Sequence, residues 1–221
     1  MEATRRPRVK ICCIASREEA ALAVAAGASA LGLVSEMPSG PGVISEAAIR
    51  AIACTVPPGV ASFLLTSQTR ADAIAEQVRR AGVNTVQLCD ELRDDAYAAL
   101  RAALPGVGIV QVIHVTGPES VDEALRVAPH VDALLLDSGN PSLPVKQLGG
   151  TGRRHDWRVS REIRERVPVP VYLAGGLVPD NVREAIETVG PFGLDVCSGV
   201  RSEGELDGDK LAAFMAAAWD P

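Results

Sequence analysis

The sequence predicts a single (β/α)₈ barrel, the TIM-barrel fold, over residues 1–221. Short apolar runs rich in β-branched residues alternate eight times with longer Ala-, Glu- and Arg-rich segments of helical period. A chain of 221 residues, 47% of them hydrophobic, can bury one large core and has the length of one such barrel. Strict alternation implies parallel strands joined by right-handed crossovers, and an open doubly wound sheet is the alternative architecture.

The expected strands and helices follow one another along the whole chain. The strands are Val9–Ile14, Ala30–Val34, Ala61–Thr66, Thr85–Cys89, Gly108–Val115, Ala133–Ser138, Pro170–Gly176 and Gly193–Gly199. The helices are Arg17–Ala26, Ser45–Val56, Ala71–Ala81, Leu92–Leu104, Pro118–Ala128, Val159–Val167, Pro179–Val189 and Asp207–Trp219. Ser45, Pro118 and Pro179 are typical of helix N-termini, and Gly82 is typical of a C-cap. Residues 1–8 are expected to form a flexible N-terminal arm.

Charge and cysteine content exclude several classes of protein. A net charge of −6 argues against nucleic-acid and anionic-membrane partners. There is no run of about 18 apolar residues and no segment of signal-peptide type, so we expect a cytoplasmic protein. The five cysteines form no C-x-x-C pair, which indicates free thiols in a reducing compartment. Adjacent strand residues face opposite sides of a sheet, so we expect only one of Cys12 and Cys13 to face a site.

Glycine-rich segments follow the last three expected strands. They are Gly149-Gly150-Thr151-Gly152, Ala174-Gly175-Gly176 and Ser198-Gly199-Val200. Glycine permits positive φ and close approach of the backbone, so that successive N–H groups can converge on an anion. Barrels often bind phosphate at the loops after strands seven and eight. Each segment alone is also explained by a tight turn, but the three together predict a phosphate site.

The first strand carries a lysine and a cysteine on one face. The period of two places Lys10, Cys12 and Ile14 together. A buried ammonium needs a partner, and Asp195 on the eighth strand, the neighbour of the first in a closed barrel, is the first candidate. A cation two residues away favours the Cys12 thiolate, the form that acts as a base near neutral pH. The alternative interpretation of Cys12 is a small buried hydrophobic residue.

An acidic residue, Asp137, ends the apolar run of the sixth strand. At that position it is either a helix N-cap or a catalytic group. Together with Cys12 at the matching end of the first strand, it offers a proton donor and a proton acceptor to one cavity. That pair is the minimum for aldose–ketose isomerisation, so the residues favour an isomerase acting on a phosphorylated sugar.

These residues and their neighbours resemble a known enzyme family over nearly the whole chain. The matching segments are Lys10-Ile11-Cys12, Val86-Gln87-Leu88, Leu135-Leu136-Asp137-Ser138, Gly149-Gly150-Thr151-Gly152 with Asp156-Trp157, Leu173-Ala174-Gly175-Gly176-Leu177 with Pro179-Asp180-Asn181-Val182, and Asp195-Val196-Cys197-Ser198-Gly199-Val200. In order and position they resemble the phosphoribosylanthranilate isomerase family of tryptophan biosynthesis.

The resemblance implies an Amadori rearrangement of N-(5′-phosphoribosyl)anthranilate to the 1-deoxyribulose phosphate, with no metal or organic cofactor. It assigns the general acid to Asp137, which opens the furanose ring to a Schiff base, and the general base to Cys12, which removes the C2 proton. Lys10 and Asp195 support the base. The implied phosphate contacts are Gly150, Thr151, Gly152, Gly175, Gly176, Ser198 and Gly199.

Three departures from the family pattern concern the site. Cys13 stands where the family usually has glycine, and Cys89-Asp90 stands where His-Gly is usual. Residues 38–45 lack the basic residue that contacts the anthranilate carboxylate in the family, a loss on the order of 1.5–3 kcal/mol. The sixth loop offers Arg153-Arg154-His155 instead, and we expect Arg154 to support substrate binding. The alternative is that these are solvated loop charges.

Three functions remain open from the sequence. The first is a phosphoribosylanthranilate isomerase. The second is an isomerase of another phosphorylated sugar or amino-sugar without the anthranilate carboxylate, and the third is a non-catalytic phosphometabolite-binding barrel. In each case the partner is a small phosphosugar, and barrels of the resembled family occur as monomers and as homodimers.

Overall fold

The computed structural model describes residues 6–219 as a closed barrel of eight parallel strands in chain order, which confirms the predicted fold class. The strands are β1 (Arg8–Ile11), β2 (Ala30–Val34), β3 (Ala61–Thr66), β4 (Thr85–Leu88), β5 (Gly108–His114), β6 (Ala133–Asp137), β7 (Val171–Leu173) and β8 (Gly193–Val196). The helices are α1 (Arg17–Ala25), α2 (Glu46–Ala53), α3 (Ala71–Ala81), α4 (Asp94–Ala103), α5 (Ser120–Val127), α6 (Trp157–Arg166), α7 (Val182–Val189) and α8 (Gly208–Trp219). A hairpin of β9 (Arg201–Ser202) and β10 (Glu205–Leu206) precedes α8.

The barrel closes by pairing β1 with β8, and the register places Lys10 beside Asp195 and Ile11 beside Val196. Because every strand runs in the same direction, all eight C-terminal ends meet at one edge. Of the expected arm over residues 1–8, residues 1–5 lie outside the described residues, while Arg8 already belongs to β1.

Apolar side chains pack in two layers. The outer layer, between the sheet and the helices, includes Val9 and Ile11 of β1. The inner layer fills the barrel and includes Cys12, Phe63 and Leu135. Ile14, which we expected on the face of Lys10 and Cys12, packs in the outer layer because the strand has already ended.

Local signals in the sequence account for the ends of several helices. Ser45 Oγ accepts a hydrogen bond from Ala48 N (3.2 Å) at the start of α2, and Asp156 Oδ1 accepts one from Arg158 N (2.9 Å) at the start of α6. Gly82 ends α3 in the left-handed conformation. Among the described residues, none of the helices combines the length and apolarity required to cross a membrane.

Three strands end three residues earlier than the sequence predicts, and β4, β5 and β6 each end one residue earlier. β1 ends at Ile11, β7 at Leu173 and β8 at Val196. The apolar runs continue past these points, which is why the pattern extends them. The residues beyond the ladder are loop residues and are free to turn their side chains or backbone toward the mouth of the barrel.

Candidate active site

One cavity opens where the C-terminal ends of the strands meet, and we call it the central cavity. It contains about 710 Å³ of space, including its open mouth. The site residues expected from the sequence that line it are Cys12, Asp137, Gly150, Thr151, Gly152, Gly175, Gly176, Asp195 and Ser198. The cavity thus brings together the ends of β1, β6, β7 and β8.

Cys12 follows β1 directly, and its side chain is almost fully buried. Its N–H donates to Val196 O (2.8 Å), which fixes the backbone of Cys12 to β8. Gly32 of β2 faces the thiol: a Cβ at Gly32 would lie 2.8 Å from Cys12 Sγ and 3.0 Å from Lys10 Nζ. The missing side chain at Gly32 therefore leaves the space that the thiol and the ammonium occupy side by side.

Lys10 forms the expected ion pair with Asp195. Its Nζ is fully buried, donates to Asp195 Oδ1 (2.8 Å) and lies 5.3 Å from the centre of the Phe63 ring. Burial alone would lower the pKa of Lys10, but Asp195, Cys12 and Cys13 together outweigh burial and raise that pKa above its ordinary value. The ammonium therefore stays charged next to Cys12.

Cys13 lines the same cavity as Cys12, so our expectation that only one of the two faces a site is wrong. The rule of alternation fails because β1 ends at Ile11 and Cys13 has a left-handed backbone with φ of 62°. Its Sγ lies 2.7 Å from Cys197 Sγ and 3.8 Å from Pro41 O. Hydrogen bonds to the thiols of Cys12 and Cys197, together with burial, raise the pKa of Cys13. The pKa of Cys197 is lowered, mainly by the hydrogen bond between Cys197 and Cys13.

Asp137 is the last residue of β6, and 9% of it is exposed. Its Oδ1 accepts from Ser138 N (2.7 Å), and Ser138 Oγ lies 2.7 Å from Thr151 Oγ1. The interpretation of Asp137 as an N-cap is wrong, because the next helix begins at Trp157 with Asp156 as its cap. The carboxyl group is held by the turn that follows its strand while it lines the central cavity.

The glycine-rich turns come together at one side of the central cavity. Positive φ angles occur at five of these glycines, namely Gly149, Gly150, Gly152, Gly175 and Gly176. After β8, Ser198–Val200 forms a single 3₁₀ turn in which Ser198 lines the cavity. Gly199 is not among the lining residues and packs against the backbone of Leu177. Turns with positive φ expose backbone N–H groups in the way that oxyanion and phosphate sites require.

The basic residues of the sixth loop lie outside the central cavity. Arg154 Cζ stacks 3.8 Å from the centre of the Trp157 ring, and its Nη2 lies 3.3 Å from Glu184 Oε2. Arg154 does not line the central cavity, so its expected support of substrate binding stays a prediction. His155 Nε2 lies 2.6 Å from Ser160 Oγ, and burial lowers the pKa of His155. Of the described residues, those that line the cavity include no Lys, Arg or His.

Ser39, Gly40 and Pro41 of the loop after β2, which the resemblance places at the substrate, line the cavity. Two contacts near the site were not predicted from the sequence. Ser39 Oγ donates to Lys146 O (2.7 Å) in the sixth loop. Arg201, the first residue of β9, reaches the carbonyl oxygens of the residues after β1. An arginine directly after Ser198-Gly199-Val200 is visible in the sequence, but no periodic pattern marks it as buried. Within residues 6–219, no cluster of three or more His, Cys, Asp or Glu side chains could hold a metal ion.

Comparison with known proteins gives a consistent result. A family model described as N-(5′-phosphoribosyl)anthranilate (PRA) isomerase matches residues 9–217. The PRA isomerase of Haloferax volcanii is 39% identical over 213 residues, which is 96% of this chain and 92% of the relative. That of Halobacterium salinarum is 40% identical over 215 residues, covering 96% and 95%.

Solved structures agree with the sequence relatives. The PRA isomerase of Thermotoga maritima superposes with a TM-score of 0.82 at 30% identity, covering 96% of this chain and 98% of that one. A PRA isomerase in complex with reduced 1-(o-carboxyphenylamino)-1-deoxyribulose 5-phosphate superposes with a TM-score of 0.80 at 29% identity, with the same coverage. A third structure, at 27% identity and a TM-score of 0.77, shows monomers made from the dimeric T. maritima enzyme and has the same coverage.

Proposed function

The chain belongs to the N-(5′-phosphoribosyl)anthranilate isomerase family, and we propose that it converts N-(5′-phosphoribosyl)anthranilate into the 1-deoxyribulose phosphate product by an Amadori rearrangement. One observation carries this proposal. A cysteine after β1 and an aspartate at the end of β6 line the same cavity, and glycine-rich turns from β6 and β7 line it with them. This arrangement offers an acid, a base and a phosphate site to one sugar phosphate.

Asp137 acts first in this proposal, as the general acid. It protonates the furanose ring oxygen, the C1–O bond breaks, and the nitrogen lone pair forms the C1=N bond of a Schiff base. The Cys12 thiolate then removes the proton from C2, and the electron pair of that C–H bond forms the C1=C2 bond of an enolamine. The enolamine takes a proton at C1 and loses the 2-hydroxyl proton, which leaves the C2 ketone. The reaction is an isomerisation, so no other group is consumed.

Substrate binding in this proposal relies on the backbone. The phosphate is held by N–H groups of the turns that contain Gly150, Gly152, Gly175, Gly176 and Ser198. Backbone donors suit a doubly charged phosphate even without a cation in the cavity wall. The anthranilate carboxylate meets a cavity without a lysine, arginine or histidine in its described lining. We therefore expect the protein to bind the anthranilate half of the substrate less tightly than the phosphate half.

Two further expectations, a possible homodimer and a cytoplasmic location, stay predictions. The chain mass is 23.1 kDa, so light scattering during size-exclusion chromatography separates a monomer from a homodimer of twice that mass. Cell fractionation tests the predicted cytoplasmic location.

Complementation tests the proposed function. The gene is expected to restore growth without tryptophan to a strain that lacks its own phosphoribosylanthranilate isomerase. Cys12→Ala and Asp137→Asn are expected to abolish the rescue. Cys54→Ala and Asp122→Asn are matched controls and are expected to retain it, because both residues are exposed, Cys54 directly after α2 and Asp122 on α5. Failure of the wild-type protein, present in the cells in folded form, would contradict the proposal and turn attention to other phosphorylated sugars.

A further inference from the structure

Arg201, the first residue of β9, reaches the turn that follows β1. Its side chain is 8% exposed. Nη2 donates to the carbonyl oxygens of Cys12 (3.3 Å) and Cys13 (2.5 Å), and Nη1 donates to Gly204 O (2.9 Å). One arginine side chain thus holds both carbonyl groups that flank Cys13, and one of them belongs to the proposed general base.

Glu19 of α1 holds the guanidinium from the other side. Its Oε1 and Oε2 accept from Arg201 at 2.8 Å and 3.0 Å. The same carboxylate accepts from Ala15 N (2.8 Å) and Leu206 N (2.9 Å). We call Arg201 and Glu19 the clamp, because together they tie the turn after β1 to the hairpin after β8. A buried arginine–carboxylate pair with this many bonds is geometrically specific.

The turn that the clamp holds contains an unfavourable residue. Cys13 adopts φ of 62°, a region that non-glycine residues rarely occupy. Gly42 packs closely against it, because a Cβ at Gly42 would lie 2.5 Å from Cys13 Cβ. A cysteine in this conformation persists only when its surroundings impose it. The hydrogen bonds from Arg201 to the carbonyl groups on each side of Cys13 are such a constraint.

We propose that Arg201 is a positioning residue for the proposed isomerisation: by holding the carbonyl groups of Cys12 and Cys13, it keeps the left-handed turn at Cys13 and so directs the Cys12 thiol into the central cavity. This inference rests on the proposed role of Cys12 as the general base. Arg201 itself is not among the residues that line the cavity. Its effect on the reaction therefore passes through the backbone of Cys12.

Loss of the clamp has a defined kinetic consequence. Without Arg201 the Cys13 backbone relaxes toward the extended region, and the Cys12 carbonyl and thiol move with it. A displacement of about 1 Å in a reacting group can cost about 100-fold in rate. The Arg201 side chain makes no observed bond to the phosphate turns of the sixth, seventh and eighth loops. Its backbone N–H donates to Ser198 O, and substitution of the side chain keeps that N–H. We expect kcat to fall by about 10- to 100-fold in Arg201→Gln while KM changes far less.

The first experiment measures kcat and KM of Arg201→Gln, Arg201→Lys and Glu19→Gln with N-(5′-phosphoribosyl)anthranilate. Arg201→Lys keeps the positive charge and some of the hydrogen bonds to the carbonyl groups, so its kcat is expected to lie between those of the wild type and Arg201→Gln. Glu19→Gln is also expected to lower kcat. Arg93→Gln is the matched control, because that side chain is 88% exposed and is not among the residues that line the central cavity. A folded Arg201→Gln enzyme with wild-type kcat would overturn the proposal. If Arg201→Gln does not fold, Arg201→Lys and Glu19→Gln carry the test.

The second experiment asks whether Arg201 acts through the turn at Cys13. Glycine adopts positive φ without a side-chain penalty. In a double-mutant cycle, Arg201→Gln is therefore expected to lower kcat less in a Cys13→Gly background than in the wild type. An equal loss in both backgrounds would show that the arginine acts by another route and would overturn the proposal.

A readout without substrate separates this proposal from the proposed function. The rate of alkylation of Cys12 by iodoacetamide is measured relative to that of the exposed Cys54 in the same sample. We expect the ratio to change in Arg201→Gln and to return toward the wild-type value in Arg201→Lys. An unchanged ratio contradicts the positioning role. If the wild-type protein does not convert the substrate but the ratio responds as expected, the proposed function fails and the positioning of Cys12 stands.

Discussion

Lys10 and Asp195 illustrate how single residues in this barrel depend on one another. The ammonium is completely buried, and the carboxylate 2.8 Å away is 8% exposed. Removal of one member of such a pair leaves an uncompensated buried charge, whereas removal of both leaves none. We therefore expect the pair to keep a positive charge beside Cys12 and to add little to the net free energy of unfolding.

The stability of two variants tests this view of the pair. Lys10→Met is expected to lower the free energy of unfolding by about 3–5 kcal/mol, because Asp195 remains buried without its partner. Lys10→Met combined with Asp195→Leu is expected to cost less than Lys10→Met alone. Urea unfolding at neutral pH measures both values. A double variant less stable than the single variant would contradict the account.

The sequence predicted some of these residues because a physical rule constrained them. A lysine inside a small barrel needs a carboxylate, and closure makes the eighth strand the neighbour of the first, so Asp195 followed as its partner. Cys13 could not be predicted in the same way. Its direction depends on where the β1 ladder stops and on a left-handed backbone that no pattern in Cys12-Cys13-Ile14 encodes. The burial of Arg201 depends on the hairpin after β8, which the sequence pattern did not reveal.

At the level of strands and helices, the alternation of elements was predictable and the strand ends near the site were not. β2, Ala30–Val34, was predicted with its observed bounds, because turns lie on both sides of a short apolar run. β7 and β8 end three residues before their expected ends, since Ala174-Gly175-Gly176 and Cys197-Ser198-Gly199 leave the ladder. Loop residues that form a site have no periodic signal of their own, because they pack around a cavity and not along a sheet.

The close approach of β1 and β2 at Gly32 gives a prediction. In Gly32→Ala the added methyl group would lie 2.8 Å from Cys12 Sγ, so the thiol has to move. We expect kcat to fall by up to about 100-fold and the free energy of unfolding to fall by about 1–3 kcal/mol. Steady-state kinetics and urea unfolding measure the two effects. Gly208→Ala is the control, because a Cβ there meets no atom within 4 Å; equal behaviour of the two variants would refute the role of Gly32.

The bonds between Glu19 of α1 and Arg201 give a prediction for the dependence of stability on pH. Burial alone would raise the pKa of Glu19, but bonds from Arg201 and from two backbone N–H groups lower it below its ordinary value of 4.5. A carboxylate with a lowered pKa in the folded state stabilises the protein above its unfolded pKa, and this stabilisation is lost as the pH falls through the folded value. The difference in stability between the wild type and Glu19→Gln is therefore expected to shrink below pH about 4.5. Urea unfolding from pH 6 to about 3 measures it, and a constant difference would contradict the clamp.

On the scale of the whole molecule, closure of the barrel creates the site. Pairing of β1 with β8 brings Cys12 beside the turn that contains Cys197 and Ser198, and the chain-order arrangement places β6 across the barrel from β2. Eight strands with one direction put every functional turn at the same edge. This part of the architecture follows from the repeated strand–helix pattern, so the approximate location of the site was predictable although its detailed contacts were not.

The charge of the whole molecule bears on how the substrate is recognised. The protein is acidic, with a net charge of −6, and the proposed substrate carries a phosphate and a carboxylate. No basic side chain is found among the described residues that line the central cavity. Recognition of the phosphate then depends on backbone N–H groups held in fixed turns, an arrangement that needs no net positive charge. The barrel supplies the rigidity that such a site requires.

In the proposed reaction, Cys12 and Asp137 act on one substrate in one cavity. The most direct test is a progress curve of product formation from N-(5′-phosphoribosyl)anthranilate, recorded for the wild type, Cys12→Ser and Asp137→Asn at equal concentration of folded protein. We expect the wild type to convert the substrate and each variant to be slower by about 10²- to 10⁴-fold, because each lacks one proton-transfer group. Conversion by either variant at the wild-type rate, or a wild-type curve that stays flat, would contradict the account.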